Sequence, residues 1–490
     1  MIYGALPPVP RRRVVVTGMG AVTPLGHTVQ SSWEGLLQGA SGVRSLSDVP
    51  YFLPSSIADN KSLSAADKAA MATDLLAAMP CKVAAPVMPP PPSSSNNNKD
   101  PFAPTSREPR QMRFATVAAE EAIAQASQGT GGGTSWAEYY RDERKGVCVG
   151  MGMPGLQDVG DVSTFLYGNP STTPGSAAAG YKKINPFFVP KILGNMTAGN
   201  LALKHRLRGP ISSSVTACAT GGHNIGEAFR WVSRGDADTV LCGAAEACIT
   251  PVSIAGFARM HALATKYNDD PQGAARPFDD ARCGFVMGEG AGLLILEDLE
   301  SALARGATIL AELRGFGISS DAHHVSTPHP EGLGARRCVA AALQDGGVHA
   351  DDIDYINAHA TGTPVGDEIE LSVLESVVGG RCAANTTEGG AGSGSVTKTC
   401  ISSCKGSIGH LLGAAGSVEA IMTIQALRTG ILPPTFNLRN PIPHKHVTLN
   451  AEALRTERAL RAVLSTSFGF GGANTALLFT PAPPTTTSSE

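Results

Sequence analysis

A chain of 490 residues with 42% hydrophobic residues can hold two to four domains, or one large duplicated fold, around a sizeable core. A net charge of −3 excludes a global basic field for nucleic acid or anionic lipid. No apolar run approaches the ~20 residues of a membrane span, and few aromatics beside abundant Gly suit closely packed α/β layers more than a β-sandwich.

From Arg13 the sequence RVVVTGMGAVTPLG reads as a strand and a Gly-rich turn, and SSWEGLLQGASGV as a short helix closed by Gly39. Between about Ala84 and Ser106 the composition becomes APVMPPPPSSSNNNKDPFAPTS, which is expected to form a disordered surface insertion without a core. A helix, QMRFATVAAEEAIAQA, and a strand, GVCVGMGM, follow. TVLCGAAEA and AGLLILED are buried-strand patterns; LESALARG and RRCVAAALQDGG are helical. IDYINAHATGTPVGD is a strand running into a loop, and 383–399 is a second low-complexity insertion. HLLGAAGSVEAIMTIQALRTG reads as one long helix, and VLSTSFGFGGANTALLF as two strands joined by a Gly-rich turn. Alternating strands and helices predict an α/β fold.

The chain also echoes itself. VVVTGMGAVTPLG is like DYINAHATGTPVGD, and the step at Cys218 is like CISSCKGSIGHLLGAAGSVEAI. TVLCGAAEACITP with AGLLILE is like LSTSFGFGGANTALLF. Two related halves joined near Gly306 explain this; chance likeness of Gly-rich loops is the alternative. The halves would run 12–306 and 307–480, each with one low-complexity insertion.

The ten cysteines are scattered, with no CxxC pair, so neither a zinc site nor a disulfide framework is expected, and a reducing compartment fits. One cysteine has a distinctive setting. ISSSVTACATGGHNIGEAFRW reads as strand, sharp turn and helix, with Cys218 at the first helical turn. The partial positive charge and free N–H groups there would lower the thiol pKa and hold an oxyanion beside the sulfur. A small buried hydrophobe is the equally ordinary reading of Cys218. Sites in open α/β sheets form at strand C-termini, where Cys218, His359 and His410 all fall if the chain is two related halves; Phe468–Gly472 is a further Gly-rich motif. Singly, each histidine reads as a capping or hydrogen-bonded loop residue.

Together, TACATGGHNIG, RPFDDARCGFVMGEGAG, NAHATGTPVGD, KGSIGHLLGAAGSVEA and SFGFGGAN resemble, in family order, the β-ketoacyl-ACP synthases of the elongating type II kind. The resemblance runs from about Val14 to Phe479. It implies a thiolase-like five-layer αβαβα fold built from two related halves, a homodimer, and a triad of Cys218, His359 and His410. It places the family's lysine at Lys405 and its glutamate at Glu419. Thr361 and Thr363 match pantetheine-binding threonines, and Phe470 a gating phenylalanine whose N–H joins that of Cys218 in an oxyanion hole. Met153 falls at an acyl-pocket position, and Lys182, Lys183 and Arg259 at basic positions that dock the acidic carrier. Ile408 and Ala360 depart from many bacterial members, the latter resembling mitochondrial forms.

The activity implied is decarboxylative condensation of malonyl-ACP with an enzyme-bound acyl thioester. No cofactor or metal is required, because the substrates ride on the phosphopantetheine of acyl carrier protein. A polyketide-type ketosynthase and a non-elongating acyltransferase of the same fold are the alternatives. A silent chain-length-factor subunit would lack the nucleophile. MIYGALPPVPRRR, with three Arg and no acid, is a faint pointer to organelle import. A mitochondrial location is expected, with cytoplasm and plastid as alternatives. The remaining histidines, 223, 261, 323, 324 and 329, read as structural or surface residues.

Overall fold

Val14–Val22 (β1) is buried at all nine positions, as a strand must be when both faces of its sheet are covered. The computed structural model containing it describes residues 11–58, 61, 63–90, 100–129, 133–168, 180–378 and 398–483. The other strands are Arg44–Ser45 (β2), Val83–Ala84 (β3), Lys145–Gly150 (β4), Ile211–Ser212 (β5), Thr239–Glu246 (β6), Gly290–Asp298 (β7) and Ala311–Ser320 (β8). Then come Ile353–Asn357 (β9), Cys400–Ser402 (β10), Ile431–Leu432 (β11), Thr448–Leu449 (β12), Leu454–Arg455 (β13), Ala462–Gly469 (β14) and Ala473–Thr480 (β15).

Eleven of these form one sheet in the order β12-β10-β9-β14-β15-β8-β1-β7-β6-β4-β5. Its two wings meet where β1 pairs with β8, from Val14↔Leu313 to Val16↔Ala311. Outward from that seam, β1-β7-β6-β4-β5 pair antiparallel, antiparallel, parallel, parallel. β8-β15-β14-β9-β10 repeat the same sequence of senses. The chain is therefore a structural duplication.

Helices complete the layers. Thr220–Arg234 (α2) and Ala415–Thr429 (α5) lie between the wings, and α5 is buried at every position from Ala415 to Leu427. A helix buried on every side is a core helix; α2 and α5 pack in one cluster with residues of both wings. Arg110–Ala126 (α1) covers the first wing from outside, and Leu333–Gly346 (α3) and Pro364–Val378 (α4) cover the second. This is the five-layer α/β arrangement.

The outer contacts repeat at residue level. A Cβ at Gly18 or Gly20 in β1 would fall 2.1 and 1.9 Å from the carbonyl oxygens of Ala122 and Ala118 in α1. A Cβ at Gly315 or Gly317 in β8 would fall 2.3 and 2.0 Å from those of Ala342 and Cys338 in α3. The G-x-G pairs let each helix settle onto its sheet. The counterpart of VVVTGMG is thus ELRGFG in β8. The likeness to DYINAHATG in β9 is coincidental, since β9 takes the place of β4.

Both low-complexity stretches and one helix boundary differ from expectation. The stretch 84–106 is not a surface insertion throughout. Ala84, Ala85 and Val87 are fully buried and Phe102 is 1% exposed. Ala85 N–H donates to Met287 O and Arg110 donates to Val87 O, and Phe102 sits edge-on to His27 and Phe114. Its two flanks thus carry apolar anchors that composition averaged away; the polar middle, 91–99, lies outside the described residues. In the second low-complexity stretch Thr399 is likewise buried, donating to Ile353 O, and 383–397 lies outside the description. The arginines near the N-terminus are tied to the folded body: Arg11 to Asp345, Arg12 to Asp238 and Arg13 to Glu312. Residues 1–10 lie outside the described residues. Lastly, the long helix begins at Ala415 and not at His410: Leu412–Ala414 forms a 3-10 turn before it.

Candidate active site

After β5 the chain reaches Ala217, a non-glycine residue with φ of 49°. Such a left-handed residue costs about 1–3 kcal/mol and persists where surrounding bonds over-determine it. Here the first turn of α2 supplies them. Thr216 N–H donates to Thr220 Oγ1, Ser214 N–H to Asn224 Oδ1, and Asn224 Nδ2 to Ser214 O. His223 Nδ1 lies 2.9 Å from Thr216 Oγ1, the structural role expected of that histidine. The elbow turns Cys218, in the 3-10 turn Ala217–Ala219, towards the second wing.

His410 comes from that wing. Its N–H donates to Val286 O and its carbonyl accepts from Gly288 N–H, so a strand-like bridge to Met287 holds it. Its Nε2 lies 2.9 Å from Cys218 Sγ. His359 follows β9. Its N–H donates to Glu370 Oε1, and the next N–H, of Ala360, to Glu370 Oε2. The two imidazoles stand edge to face with centroids 5.3 Å apart. Cys218 Sγ and one nitrogen of each ring lie within 4.8 Å of one another. A soft divalent cation could use such a donor set, but the same atoms equally fit one small reacting group.

Lys405, on the short helix Lys405–Ile408, places Nζ 3.5 Å from His359 Nδ1 and forms an ion pair with Glu419 of α5. Both side chains are almost wholly buried, so this is no solvated surface pair. A cation facing Nδ1 keeps the proton of neutral His359 on Nε2, pointing it as a donor. Burial first, then Lys405, holds both imidazoles well below their usual pKa, with His410 adding to the effect on His359. Both are neutral at physiological pH.

The thiol departs from expectation. Burial pushes Cys218 up to about 12, although Lys405 and the Phe470 N–H pull it down. Desolvation outweighs the helix end, so the resting sulfur is a neutral S–H beside His410 Nε2.

A cavity of about 540 Å³ opens on these groups. Thr361 and Thr363 line it, their hydroxyls 3.1 Å apart, and so do Phe470 and Met153. The Phe470 N–H reaches the Cys218 sulfur because Gly471 and Gly472 take φ of 81° and 74°, a turn open to glycine. Arg259 is exposed beside Met260 and His261, which line the cavity. Lys182 and Lys183 are exposed on a segment that lines none of it.

Sequence reasoning missed several residues. Asp367 and Glu370, on α4, accept the N–H groups of Gly362 and His359 and so shape the loop that carries His359. Burial pushes them up to about 6 and about 7. Their three-residue spacing after Thr363-Pro364 was the available signal. Asp321 also lines the cavity, and His261 and His324 border it as exposed residues, in keeping with their surface reading.

Residues 11–88 and 92–302 match the β-ketoacyl synthase N-terminal domain, and residues 310–439 match its C-terminal domain. The chain belongs to the β-ketoacyl synthase family. This β-ketoacyl synthase is 39% identical over 485 residues to a 3-oxoacyl-[acyl-carrier-protein] synthase 2 from Rhizobium meliloti, covering 95% of this chain and 98% of the relative. It is 38% identical over 471 residues to the mitochondrial 3-oxoacyl-[acyl-carrier-protein] synthase of Arabidopsis thaliana, covering 96% and 93%. A crystal structure of a β-ketoacyl synthase from Burkholderia phymatum matches with a TM-score of 0.76 at 30% identity, covering 96% of this chain and 100% of that one.

Proposed function

We propose that this β-ketoacyl synthase elongates acyl chains on acyl carrier protein by two carbons, with Cys218 as nucleophile and His359 and His410 as the decarboxylation pair. The observation that carries the proposal is one neutral thiol and two neutral imidazoles converging within 4.8 Å beneath a cavity. In the first step Cys218 sulfur attacks the acyl-ACP thioester carbonyl. His410, 2.9 Å away, takes the thiol proton and passes it to the departing pantetheine sulfur. The N–H groups of Cys218 and Phe470 hold the oxyanion.

Malonyl-ACP then binds, its pantetheine arm along Thr361 and Thr363. Loss of CO2 leaves an enolate, whose oxygen receives hydrogen bonds from His359 Nε2–H and from His410 once its proton has moved from Nδ1 to Nε2. The carbanion attacks the acyl-Cys218 carbonyl, the sulfur leaves, and a 3-ketoacyl-ACP departs. Lys405, anchored by Glu419, orients His359. Phe470 and Met153 border the acyl end, and Arg259 meets the acidic carrier at the mouth; Lys182 and Lys183 would extend that docking surface. The halves are proposed to divide near Gly306.

Two placements complete the reading. Ile211 of β5, an unpaired sheet edge, is 54% exposed, and Leu203, on a helix packed against β5, is 81% exposed. A second copy laid edge to edge on β5 would cover them, giving a homodimer. Relatives of comparable identity come from mitochondria of Arabidopsis thaliana and from bacteria; a mitochondrial site is the proposed compartment. Among the described residues no helix is long and apolar enough to cross a membrane.

The test separates the two half-reactions. Incubation with acyl-ACP should add one acyl group, on the Cys218 peptide, and Cys218→Ala should abolish the adduct. His359→Ala should still be acylated yet release CO2 from malonyl-ACP about a hundred- to a thousandfold more slowly. An adduct on Cys242, Cys248 or Cys404, or decarboxylation by His359→Ala at the parent rate, overturns these roles.

A further inference from the structure

Glu246, the last residue of β6, is fully buried, and the reaction above makes no use of it. The duplication shows what it occupies. β6 and β14 hold equivalent places, so Glu246 is the counterpart of Gly469, the residue before Phe470. The turn Leu412–Ala414 is the counterpart of Ala217–Ala219: each is a 3-10 turn before a central helix, opened by a residue with φ of 48° or 49°. Gly413 therefore stands where the other half has Cys218. In place of a second reaction site there is a carboxylate. Glu246 Oε2 accepts from Gly152 N–H at 2.8 Å and from Gly413 N–H at 3.0 Å. Its other oxygen accepts from the Cys248 thiol at 3.0 Å, and the Met153 N–H also donates to the carboxylate. The clamp is tight: a Cβ on Gly413 would fall 2.2 Å from Gly152 N.

We propose that Glu246 is a positioning residue for the acyl chain: its carboxylate clamps the Gly152–Met153 segment of the first half to Gly413 of the second, holding Met153 and Leu412 in place as cavity walls. The proposal rests on the synthase reading above, in which that cavity takes the acyl group. Met153, Leu412 and Cys218 all line it. A short acyl group ends close to the sulfur, whereas a long one must pass the walls, so the clamp matters only to the long one.

Three amides and a thiol donate to this one side chain, which suits an anion. Once protonated it must itself donate, and an N–H is then left facing an O–H. Burial pushes Glu246 up to about 7, against the pull of the Cys248 thiol and the three amides. The titratable groups around it are Cys248 and Cys218, with Glu289 beyond Cys248 and Lys405 beyond Cys218. Ionisation of the Cys218 thiol affects every acyl donor alike, so it cancels in a ratio of two chain lengths.

The experiment compares initial rates of Cys218 acylation by decanoyl-ACP and butanoyl-ACP, read by intact mass. In the parent enzyme the decanoyl-to-butanoyl ratio should rise about tenfold from about pH 6 to about pH 8, the span of one carboxyl titration. Glu246→Gln should hold the low-pH ratio throughout. A flat parent ratio, or a Glu246→Gln variant that follows the parent profile, overturns the clamp and leaves the synthase reading standing. If the parent forms no Cys218 adduct with either donor, the synthase reading falls and this proposal with it. The parent profile needs no variant, so it decides the matter even if Glu246→Gln does not fold.

Discussion

At Cys218 two effects of known sign compete. The N-terminal end of α2 favours a thiolate, while burial disfavours it, and burial wins with a thiol at about 12. Reactivity is then conferred by the partner 2.9 Å away, His410 Nε2, and not by resting ionisation. Alkylation of Cys218 by iodoacetamide should therefore keep rising, about tenfold per pH unit, from about pH 7 to about pH 9. A plateau near neutrality would mean that the helix end dominates after all. Cys218, His359 and His410 were legible from their motifs, because each needs a particular residue type at a turn. The thiol's ionisation was not legible, because it depends on burial by residues far away in sequence.

Among elements, the segment before α1 shows how composition misleads. Pro, Ser and Asn dominate 84–106, yet Val87 and Phe102 anchor its two ends in the core. A few apolar side chains suffice if the folded body offers them a socket, and a composition average does not register them. Phe102→Ala should lower stability by about 3 kcal/mol, the low end for a buried aromatic; the shift in denaturant midpoint measures it. A change within about 0.5 kcal/mol, typical of surface sites, would restore the surface-insertion reading. The same limit applied to the second central helix. Its apolar run starts at Leu411, but Leu412 takes a left-handed φ of 48° and delays the helix to Ala415, mirroring the elbow at Cys218.

For the whole molecule, the exposed edge at β5 sets the expected assembly. Ile211 on that edge is 54% exposed and Val215 just beyond it 55%, too apolar a border for a strand left open to water. Ile211→Arg should shift the protein from dimer to monomer by light scattering, because two copies would bring the added charges together across the seam. An unchanged mass would place the dimer contact elsewhere.

The amino-acid sequence by itself determined the α/β class, the family motifs and the residue types of the site, since these depend on local pattern and on groups that chemistry requires. It also carried the duplication, in the pairs Gly18/Gly20 and Gly315/Gly317, although the longer likeness to DYINAHATG was the wrong one to follow. Only the tertiary structure decided which strands are equivalent, that Lys405 and Glu419 are buried together, and that Glu370 holds the His359 backbone. It alone brought Glu246 to Gly413, 167 residues apart. Each of these is a contact between segments distant in the chain, and its strength comes from removing both partners from water, which no local pattern records.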